Sequence, residues 1–480
     1  MRFHLPDTDL PVIDGIQDGD APDLANDCIS SAPASAPFPP YNGTTWGKED
    51  CLFLDVYVPD NVRPGDDVPV LHWVVGSGYA FGSKDMFVHP LGLFDVMGAD
   101  TKFIYVANNY RYTLPKVSPG SGHTQTNDHG SLGLPGWTHM PGEDTVANLG
   151  MHDTLAAVEW TSNFISLFGG DPGRVTVMGQ SAGAGIINLL TVLNGGEGTL
   201  PFQQAITSAP CIPPRVNPID RQRNLFNQIL ESANCTSLDC LRSAPEETVK
   251  NVNDYLINQI RSDAGGGVFG PAPGFGPVLD STYIPDLPET LYREGRFHKE
   301  LKAFIVGNAA NEGMGLSSDE GMPEAFGELV RRVLPTATNE TIAEIQSHYD
   351  FGDIPEKLAW DWTMDTVFSC NAANVAAAYK DAARRYIFSV EPATHGQELT
   401  YAFYVDQETT PVERPEDARA FQRNVLAFLH GREIDWPVYG SEKRVMNITS
   451  DGYNNVELPA ELDTRCEMVN RVVRDPANGA

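Results

Sequence analysis

The sequence predicts an α/β protein built on a large, mostly parallel central sheet with helices on both faces. Short β-rich runs recur along the chain, and helical stretches such as 153–168 and 371–385 separate several of them. This alternation favours parallel strands, because parallel neighbours need long crossover connections, which are usually helices. The predicted strands lie at residues 51–58, 70–75, 103–107, 175–178, 204–208, 303–306 and 400–404.

Composition excludes several classes of protein. The chain has 480 residues, of which 41% are apolar, and no apolar run is long enough to cross a bilayer. A net charge of −31 would repel phosphate, so no nucleic-acid partner is expected. The acidity could steer a cationic ligand, but keeping a secreted protein soluble is the simpler explanation. With no internal repeat, residues 1–480 are predicted to form a single domain.

Two stretches depart from the strand–helix alternation. Residues 111–148 are rich in Gly, Pro, Ser, Thr and His and have no period, which predicts an irregular insertion near a functional site. Its residues His123, Asp128, His129 and His139 could hold a metal, although their irregular spacing favours a polar loop. Residues 315–362 are predicted to be a helical, cap-like region. No metal or organic cofactor is expected.

The run Gly-Gln-Ser-Ala-Gly at 179–183 is the most informative feature of the chain. It lies between the β-rich run 174–178 and a helix-prone run that starts near Ala184. A serine on such a strand–turn–helix, with glycine two residues away on each side, describes a nucleophile elbow. The tight turn exposes the hydroxyl and points the amides of the helix N-terminus to the same place. Ser181 is therefore the candidate nucleophile.

A serine nucleophile needs a base, and four histidines follow Ser181 in the chain. His395 lies in a polar loop just before a predicted strand, which suits a base reaching over a sheet. The other three have plainer interpretations: His298 as a solvated surface residue, His348 on an amphipathic helix and His430 at a helix C-terminus. His395 is the preferred base.

An acid must orient the base, and amides must stabilise the developing oxyanion. Glu312 follows the predicted strand 303–306 and so lies at a carboxyl edge of the sheet, where sites collect. Asp280 is the alternative acid, although a turn role suits it better. The glycine-rich run 76–82 follows another strand and is the candidate oxyanion loop, together with the amide of Ala182.

Cysteines and glycosylation sequons favour an oxidising, secretory setting. The chain has seven cysteines without zinc-finger spacing, and its sequons are at Asn42, Asn234, Asn339 and Asn447. A secreted protein is expected, although the first residues contain no apolar signal segment. The chain is then a processed or truncated form; otherwise it is cytosolic and the sequons are not used.

Together these motifs resemble the type-B carboxylesterase/lipase family, which includes cholinesterases and fungal lipases. The resemblance covers most of the chain as an ordered series of motifs, at residues 49–56, 69–82, 109–111, 148–153, 168–172, 179–183, 280–285, 307–313 and 395–403. It implies an α/β-hydrolase fold and a serine hydrolase that cleaves a small-molecule or lipid ester through an acyl-enzyme. Because Met1 matches a point inside the family fold, the domain is expected to be N-terminally shortened.

The resemblance also implies roles for particular residues. It implies a triad of Ser181, Glu312 and His395, oxyanion amides at Ser77, Gly78 and Ala182, disulfides Cys28–Cys51 and Cys235–Cys240, and a buried Arg2–Glu49 salt bridge. A Cys370–Cys466 pair is a further pairing that it allows, which would leave Cys211 outside any disulfide. The oligomeric state, the acyl group and the alcohol group are not predicted.

Three residues depart from the family pattern. Val75 and Ser77 stand where the family usually has an aromatic residue or His and a Gly, and Gln180 replaces the usual acidic residue before the serine. The loss of that carboxylate weakens the case for a choline-like cation as substrate. Two alternative functions remain at this point: acyl transfer or lactone opening in secondary metabolism, and a non-catalytic binding member of the same fold.

Overall fold

The computed structural model describes residues 5–6, 27–34, 41–111, 136–140, 142–214, 218–259 and 274–479. Within these ranges nine strands form one sheet in the order β11-β10-β9-β8-β7-β6-β4-β5-β3, and β1 pairs with β2 in a separate ribbon. The strands are β1 (Ser30–Ser31), β2 (Thr45–Trp46), β3 (Leu54–Tyr57), β4 (Val68–Val74), β5 (Ile104–Asn108), β6 (Gly170–Gln180), β7 (Gln204–Ser208), β8 (Ala303–Ala309), β9 (Ala383–Ser389), β10 (Arg444–Thr449) and β11 (Gly452–Glu457).

The large sheet is parallel except at its two edges, where β3 runs antiparallel to β5 and β11 antiparallel to β10. Its strands are apolar on both faces, as expected where helices cover both sides. Along β4, Val70 and Val74 pack into one core, while Leu71 and Trp73 pack into the core on the opposite face. This confirms the predicted α/β-hydrolase architecture of a mostly parallel sheet between helices.

The helices differ widely in length. The α-helices are α1 (Leu91–Asp95), α2 (Leu149–Phe164), α3 (Ala182–Leu190), α4 (Pro218–Ser232), α5 (Leu238–Ser243), α6 (Glu246–Asp254), α7 (Pro288–Glu294), α8 (Phe326–Val333), α9 (Asn339–Ser347), α10 (Lys357–Met364), α11 (Cys370–Tyr379), α12 (Glu398–Ala402), α13 (Pro415–Leu429) and α14 (Ala460–Arg474). Among the residues described, no helix combines the length and the apolar character needed to span a bilayer.

Two sequence predictions of secondary structure were wrong. The predicted strand 400–404 lies largely in the helix α12, because Tyr401 and Ala402 are buried there in the core beside α13. The predicted helix 371–385 ends at Tyr379, and β9 begins at Ala383. In both places tertiary packing outweighs local propensity.

The described residues contain three disulfides. Cys28–Cys51 and Cys235–Cys240 form as the resemblance implied, and Cys370–Cys466 forms as well. Cys211, the seventh cysteine, is buried and takes part in none of the three. Glu49 is completely buried, but Arg2, its predicted salt-bridge partner, lies outside the described residues.

Two stretches were predicted to interrupt the strand–helix alternation. The structure describes all of residues 315–362 but only part of residues 111–148. Residues 315–362 contain α8, α9 and most of α10, which pack with α14 into a separate apolar cluster. Of the predicted insertion 111–148, residues 112–135 and 141 lie outside the described part, including His123, Asp128 and His129. Arg111, the first residue of this segment, forms an ion pair with Asp153 of α2, and both side chains are buried.

Candidate active site

Ser181 occupies the turn between β6 and α3 and has φ 57° and ψ −125°. Its amide donates to the Ser208 carbonyl at 2.9 Å, and its own carbonyl accepts from the amide of Cys211 at 3.0 Å. These bonds tie the turn to the chain just after β7. A non-glycine residue at positive φ is rare, so the surrounding structure must hold it in place.

The glycines beside Ser181 are required by close backbone contacts. A Cβ at Gly183 would lie 2.1 Å from the Val74 carbonyl oxygen, and one at Gly179 would lie 2.8 Å from the backbone of Gly183. A Cβ at Gly76 would lie 2.6 Å from the carbonyl oxygen of Gln180. The absence of side chains therefore lets the loop after β4 lie directly against the elbow.

The loops after β8 and β9 bring an acid and a base together. An isolated parallel bridge pairs Asn311 with Thr394, so the residues that follow them, Glu312 and His395, become neighbours. Glu312 is completely buried and accepts a hydrogen bond from the Ala309 amide. His395 Nδ1 is hydrogen bonded to Glu312 Oε2.

The imidazole joins this pair to the serine. His395 Nε2 lies 2.8 Å from Ser181 Oγ, so the three predicted side chains form one continuous hydrogen-bonded chain. The Phe368 ring packs against the imidazole, with the two ring centroids 4.6 Å apart. Burial lowers the pKa of His395, but the charge of Glu312 and its hydrogen bond raise it more, so the net shift is upward from 6.5.

The candidate oxyanion residues follow β4 and begin α3. Ser77 has φ 88° and Gly78 has φ 63°, so the loop adopts the conformation that glycine tolerates best even where this chain has serine. The Ser77 hydroxyl lies within hydrogen-bond reach of the carbonyls of Gly76 and Phe81. Ala182 is the first residue of α3, where amides have no carbonyl partner within the helix.

The other candidates from the sequence lie elsewhere or have structural roles. The Asp280 carboxylate caps a turn by accepting from the amides of Thr282 and Ile284, as expected for a turn residue. His298 was predicted to be solvated, which was wrong: it is 1% exposed, and its Nδ1 pairs with Glu300. His430 caps the C-terminus of α13.

The described residues contain one cluster of metal-ligand atom types, formed by Asp365, Cys370 and Cys466. Its two sulfur atoms are bonded to each other, so they offer no thiolate to a metal. His139, from the histidine-rich stretch, does not belong to this cluster. Its Nδ1 lies 3.2 Å from the carbonyl oxygen of Thr145.

A large cavity of about 740 Å³ opens beside Ser181 and His395. Its wall is mostly apolar and includes Phe81, Met86, Phe87, Val88, Leu91, Leu316, Phe368, Leu399, Phe403 and Val405. Among the described residues that line the cavity, Asp85 is the one Asp or Glu, and there is no Lys or Arg. Sequence reasoning did not identify this wall, because its residues come from many separate loops.

Two polar residues lie near the imidazole without having been predicted to do so: Gln180, which the sequence showed only as a departure from the family pattern, and Glu398, which was not singled out. Gln180 Nε2 lies 3.3 Å from His395 Nε2, and Glu398 is a completely buried carboxyl group at the start of α12. The sequence offered one signal for each: Gln180 immediately precedes the serine, and Glu398 lies three residues after the histidine.

Comparison with known proteins identifies the family of the chain. A family model described as the carboxylesterase family matches residues 2–114 and 131–435. The carboxylesterase patB of Aspergillus clavatus is 30% identical over 459 residues, covering 88% of this chain and 76% of that protein. A secreted lipase of Arthroderma benhamiae is 27% identical over 462 residues, covering 89% of this chain and 83% of that protein.

A solved structure supports the fold independently. The crystal structure of Aspergillus niger EstA superposes with a TM-score of 0.75 at 19% sequence identity, covering 93% of this chain and 87% of that one. At this level of identity the likeness concerns the fold alone.

Proposed function

Because the chain belongs to the carboxylesterase family and is a serine hydrolase of carboxylic esters, we propose that Ser181, Glu312 and His395 are its catalytic triad. The observation that carries this assignment is the hydrogen-bonded chain from Ser181 Oγ through both ring nitrogens of His395 to Glu312. This is the geometry that a nucleophile, its base and an orienting acid require.

Each side chain then has a defined task. His395 Nε2 takes the proton of Ser181 Oγ as that oxygen attacks the ester carbonyl, and Glu312 stabilises the imidazolium that forms. The amides of Ser77, Gly78 and Ala182 donate to the oxyanion of the tetrahedral intermediate. The imidazolium returns its proton to the leaving alcohol. Water, activated by His395, then cleaves the acyl-enzyme and regenerates Ser181.

The cavity supports an uncharged, largely apolar ester as the substrate. Its described lining offers aromatic and aliphatic side chains and no cation, so an anionic acyl or alcohol group would lose its hydration without gaining a partner. Gln180 stands where an acidic residue would otherwise attract a cation. We therefore expect p-nitrophenyl esters of aliphatic acids to be hydrolysed in preference to choline or succinate half-esters.

An extracellular location fits both the structure and the relatives. Three disulfides persist best in an oxidising environment, and the relative from Arthroderma benhamiae is described as secreted. Exposure of Asn42, Asn234 and Asn339 leaves these sequons open to glycosylation.

The triad assignment is tested by replacing the nucleophile. Ser181→Ala should lower kcat on p-nitrophenyl butyrate by about 10⁴-fold or more and abolish labelling by a fluorophosphonate. Ser347→Ala removes an exposed serine at the end of α9 and serves as the matched control with unchanged kcat. Parental turnover in folded Ser181→Ala would refute the assignment.

A further inference from the structure

Tyr79 has a backbone conformation that aromatic residues rarely adopt. It lies in the turn formed by residues 77–80, which is closed by a hydrogen bond of 3.2 Å from the Ala80 amide to the Ser77 carbonyl. The two central residues of the turn, Gly78 and Tyr79, have φ values of 63° and 65°. A turn with two positive φ angles favours Gly, Asn or Asp, so a tyrosine in it is strained. The contacts of Tyr79 must therefore hold it in place.

The side chain of Tyr79 extends from this turn towards the nucleophile elbow. It is completely buried, and its ring packs edge-on against Trp137, with the two ring centroids 4.8 Å apart. Its hydroxyl donates a hydrogen bond to the Cys211 carbonyl. A Cβ at Gly185 in α3 would overlap the phenol oxygen, so the absence of a side chain there makes room for this hydrogen bond.

Cys211 connects Tyr79 to the nucleophile. Its carbonyl accepts from the Tyr79 hydroxyl, and its amide donates to the Ser181 carbonyl at 3.0 Å. Ala182 directly follows Ser181 in the chain. Two consecutive hydrogen bonds therefore join the turn that carries Ser77 and Gly78 to the residue before Ala182.

The proposed oxyanion amides come from two separate elements, the loop after β4 and the start of α3. A donor stabilises the oxyanion only when it lies at about 2.7–3.1 Å from that oxygen, so the spacing between the two elements must be fixed before the reaction. The sheet fixes β4 against β6 up to the pair Val74 and Gly179. Beyond this pair, Tyr110 bonds to the Val75 carbonyl at 2.9 Å, ahead of the turn, and Tyr79 ties the turn itself.

We propose that Tyr79 is a positioning residue whose hydroxyl, acting through Cys211, fixes the amides of Ser77 and Gly78 relative to the amide of Ala182. This inference rests on the proposed triad and oxyanion amides. The oxyanion forms only after Ser181 has attacked the ester. Loss of the hydroxyl should therefore weaken binding of the transition state and leave binding of the substrate unchanged.

Tyr79→Phe in the full, disulfide-bonded chain tests the proposal, because it keeps the ring beside Trp137 and removes one oxygen atom. We expect kcat on p-nitrophenyl butyrate to fall by about ten- to a hundredfold. This is less than the loss caused by deleting an oxyanion donor, since the amides are displaced and not removed. KM should change by less than about twofold, as expected when only the transition state is affected.

A matched pair of inhibitors measures the same difference at equilibrium. A trifluoromethyl ketone with an aliphatic chain adds to the serine and carries an oxyanion, whereas the methyl ketone of the same chain length binds without forming a stable adduct. In Tyr79→Phe, the inhibition constant of the trifluoromethyl ketone should rise by the factor by which kcat falls. The inhibition constant of the methyl ketone should stay within about twofold.

Tyr453→Phe is the control for the loss of a tyrosine hydroxyl. Tyr453 lies in the edge strand β11, and its hydroxyl donates to the Asp417 carbonyl at 2.8 Å, so the same type of hydrogen bond is removed. Tyr453 is not among the described residues that line the cavity. This variant should keep the parental kcat and both inhibition constants. Urea unfolding of the two variants separates any loss of stability from the loss of activity.

Three results would overturn the proposal. They are a parental kcat in Tyr79→Phe, an equal rise of the inhibition constants of both ketones, or an equal loss of kcat in Tyr453→Phe. The second result would mean that the cavity as a whole has loosened.

Fluorophosphonate labelling keeps this test apart from the triad assignment. Tyr79→Phe should still be labelled at Ser181, although more slowly than the parent, because the phosphonyl oxygen also needs the oxyanion amides. Activity that survives Ser181→Ala would refute the triad whatever the result for Tyr79.

Discussion

Two opposing effects set the pKa of His395: burial lowers it, and the neighbouring Glu312 raises it above 6.5. The base must be neutral to accept the serine proton, so activity should fall as the pH drops through this raised pKa. In Glu312→Gln the charge is removed and burial dominates. The acid limb of the kcat/KM profile should therefore move to lower pH, while kcat falls by about 10²- to 10⁴-fold because the imidazolium loses its stabilising anion.

The raised pKa of His395 also predicts how the stability of the protein depends on pH. A histidine whose pKa is raised on folding contributes stability below its unfolded pKa near 6.5, and that contribution is lost as the pH rises through the folded pKa. The difference in unfolding free energy between the parent and Glu312→Gln should thus be larger at pH 5.5 than at pH 8.5. A difference that does not depend on pH would contradict the pairing.

Individual residues show how far sequence reasoning reaches. Ser181 could be predicted because its turn needs glycines at fixed spacing, and Glu312 and His395 because they follow it in the order the chemistry requires. Gln180 was noted only as a departure from the family pattern and Glu398 was not noted, because their burial beside the imidazole comes from the fold and spacing alone does not reveal it. The buried His298 was missed for the same reason.

At the element scale, the junction of β6 and α3 leaves no room for an added side chain. Gly183→Ala would place a Cβ 2.1 Å from one backbone carbonyl oxygen, of Val74, and 2.6 Å from another, of Val75. Neither atom can rotate away, so we expect a loss of about 3 kcal/mol of unfolding free energy and of Ser181 reactivity. Urea unfolding and the rate of fluorophosphonate labelling measure the two effects.

The control for that substitution is another helical glycine with space around it. A Cβ at Gly327 in α8 would meet only the ends of Arg331 and Ile342 side chains, at 3.5 Å and beyond. Gly327→Ala should therefore stabilise the protein by about 0.5–1 kcal/mol, through the better helix propensity of alanine. Equal destabilisation by both substitutions would refute the steric argument.

The position of Asn447 inside a strand should make it a poorer glycosylation site than the other three sequons. Asn447 lies within β10, between β9 and β11, and its side-chain oxygen accepts a hydrogen bond from Ser389 Oγ at 2.7 Å. Asn42, Asn234 and Asn339 are exposed instead. After secretion from a fungal host, peptide mass spectrometry should find glycans at these three positions and little at Asn447. Similar occupancy at all four would contradict this expectation.

Element boundaries were predictable where strands are short apolar runs, and less so elsewhere. The strand 204–208 was predicted with its observed ends, but β9 begins with Ala383 and two arginines, which resemble the end of a helix. The core around α12 instead turns the β-prone segment near Tyr401 into a helix. Such outcomes depend on partners that are distant in the sequence.

At the scale of the whole molecule, the order of the motifs along the chain was enough to predict the fold class, because a single motif recurs by chance whereas the ordered series does not. The shape of the cavity was not predictable, since loops after β4, β8 and β9 and helix α12 all contribute to it. The wall residues share only an apolar character, which most core residues share as well.

The three disulfides should differ widely in their effect on global stability. Cys370–Cys466 joins α11 to α14 and closes a loop with a sequence separation of 96, whereas Cys235–Cys240 spans a separation of 5. Chain entropy predicts that removing the long-range bond costs about 4.7 kcal/mol and the short one about 2 kcal/mol. The double variants Cys370→Ala/Cys466→Ala and Cys235→Ala/Cys240→Ala leave no new thiols, so urea unfolding without reductant compares them directly. A larger loss in the second pair would show that local packing, rather than the constraint on the unfolded chain, sets the contribution of these bonds.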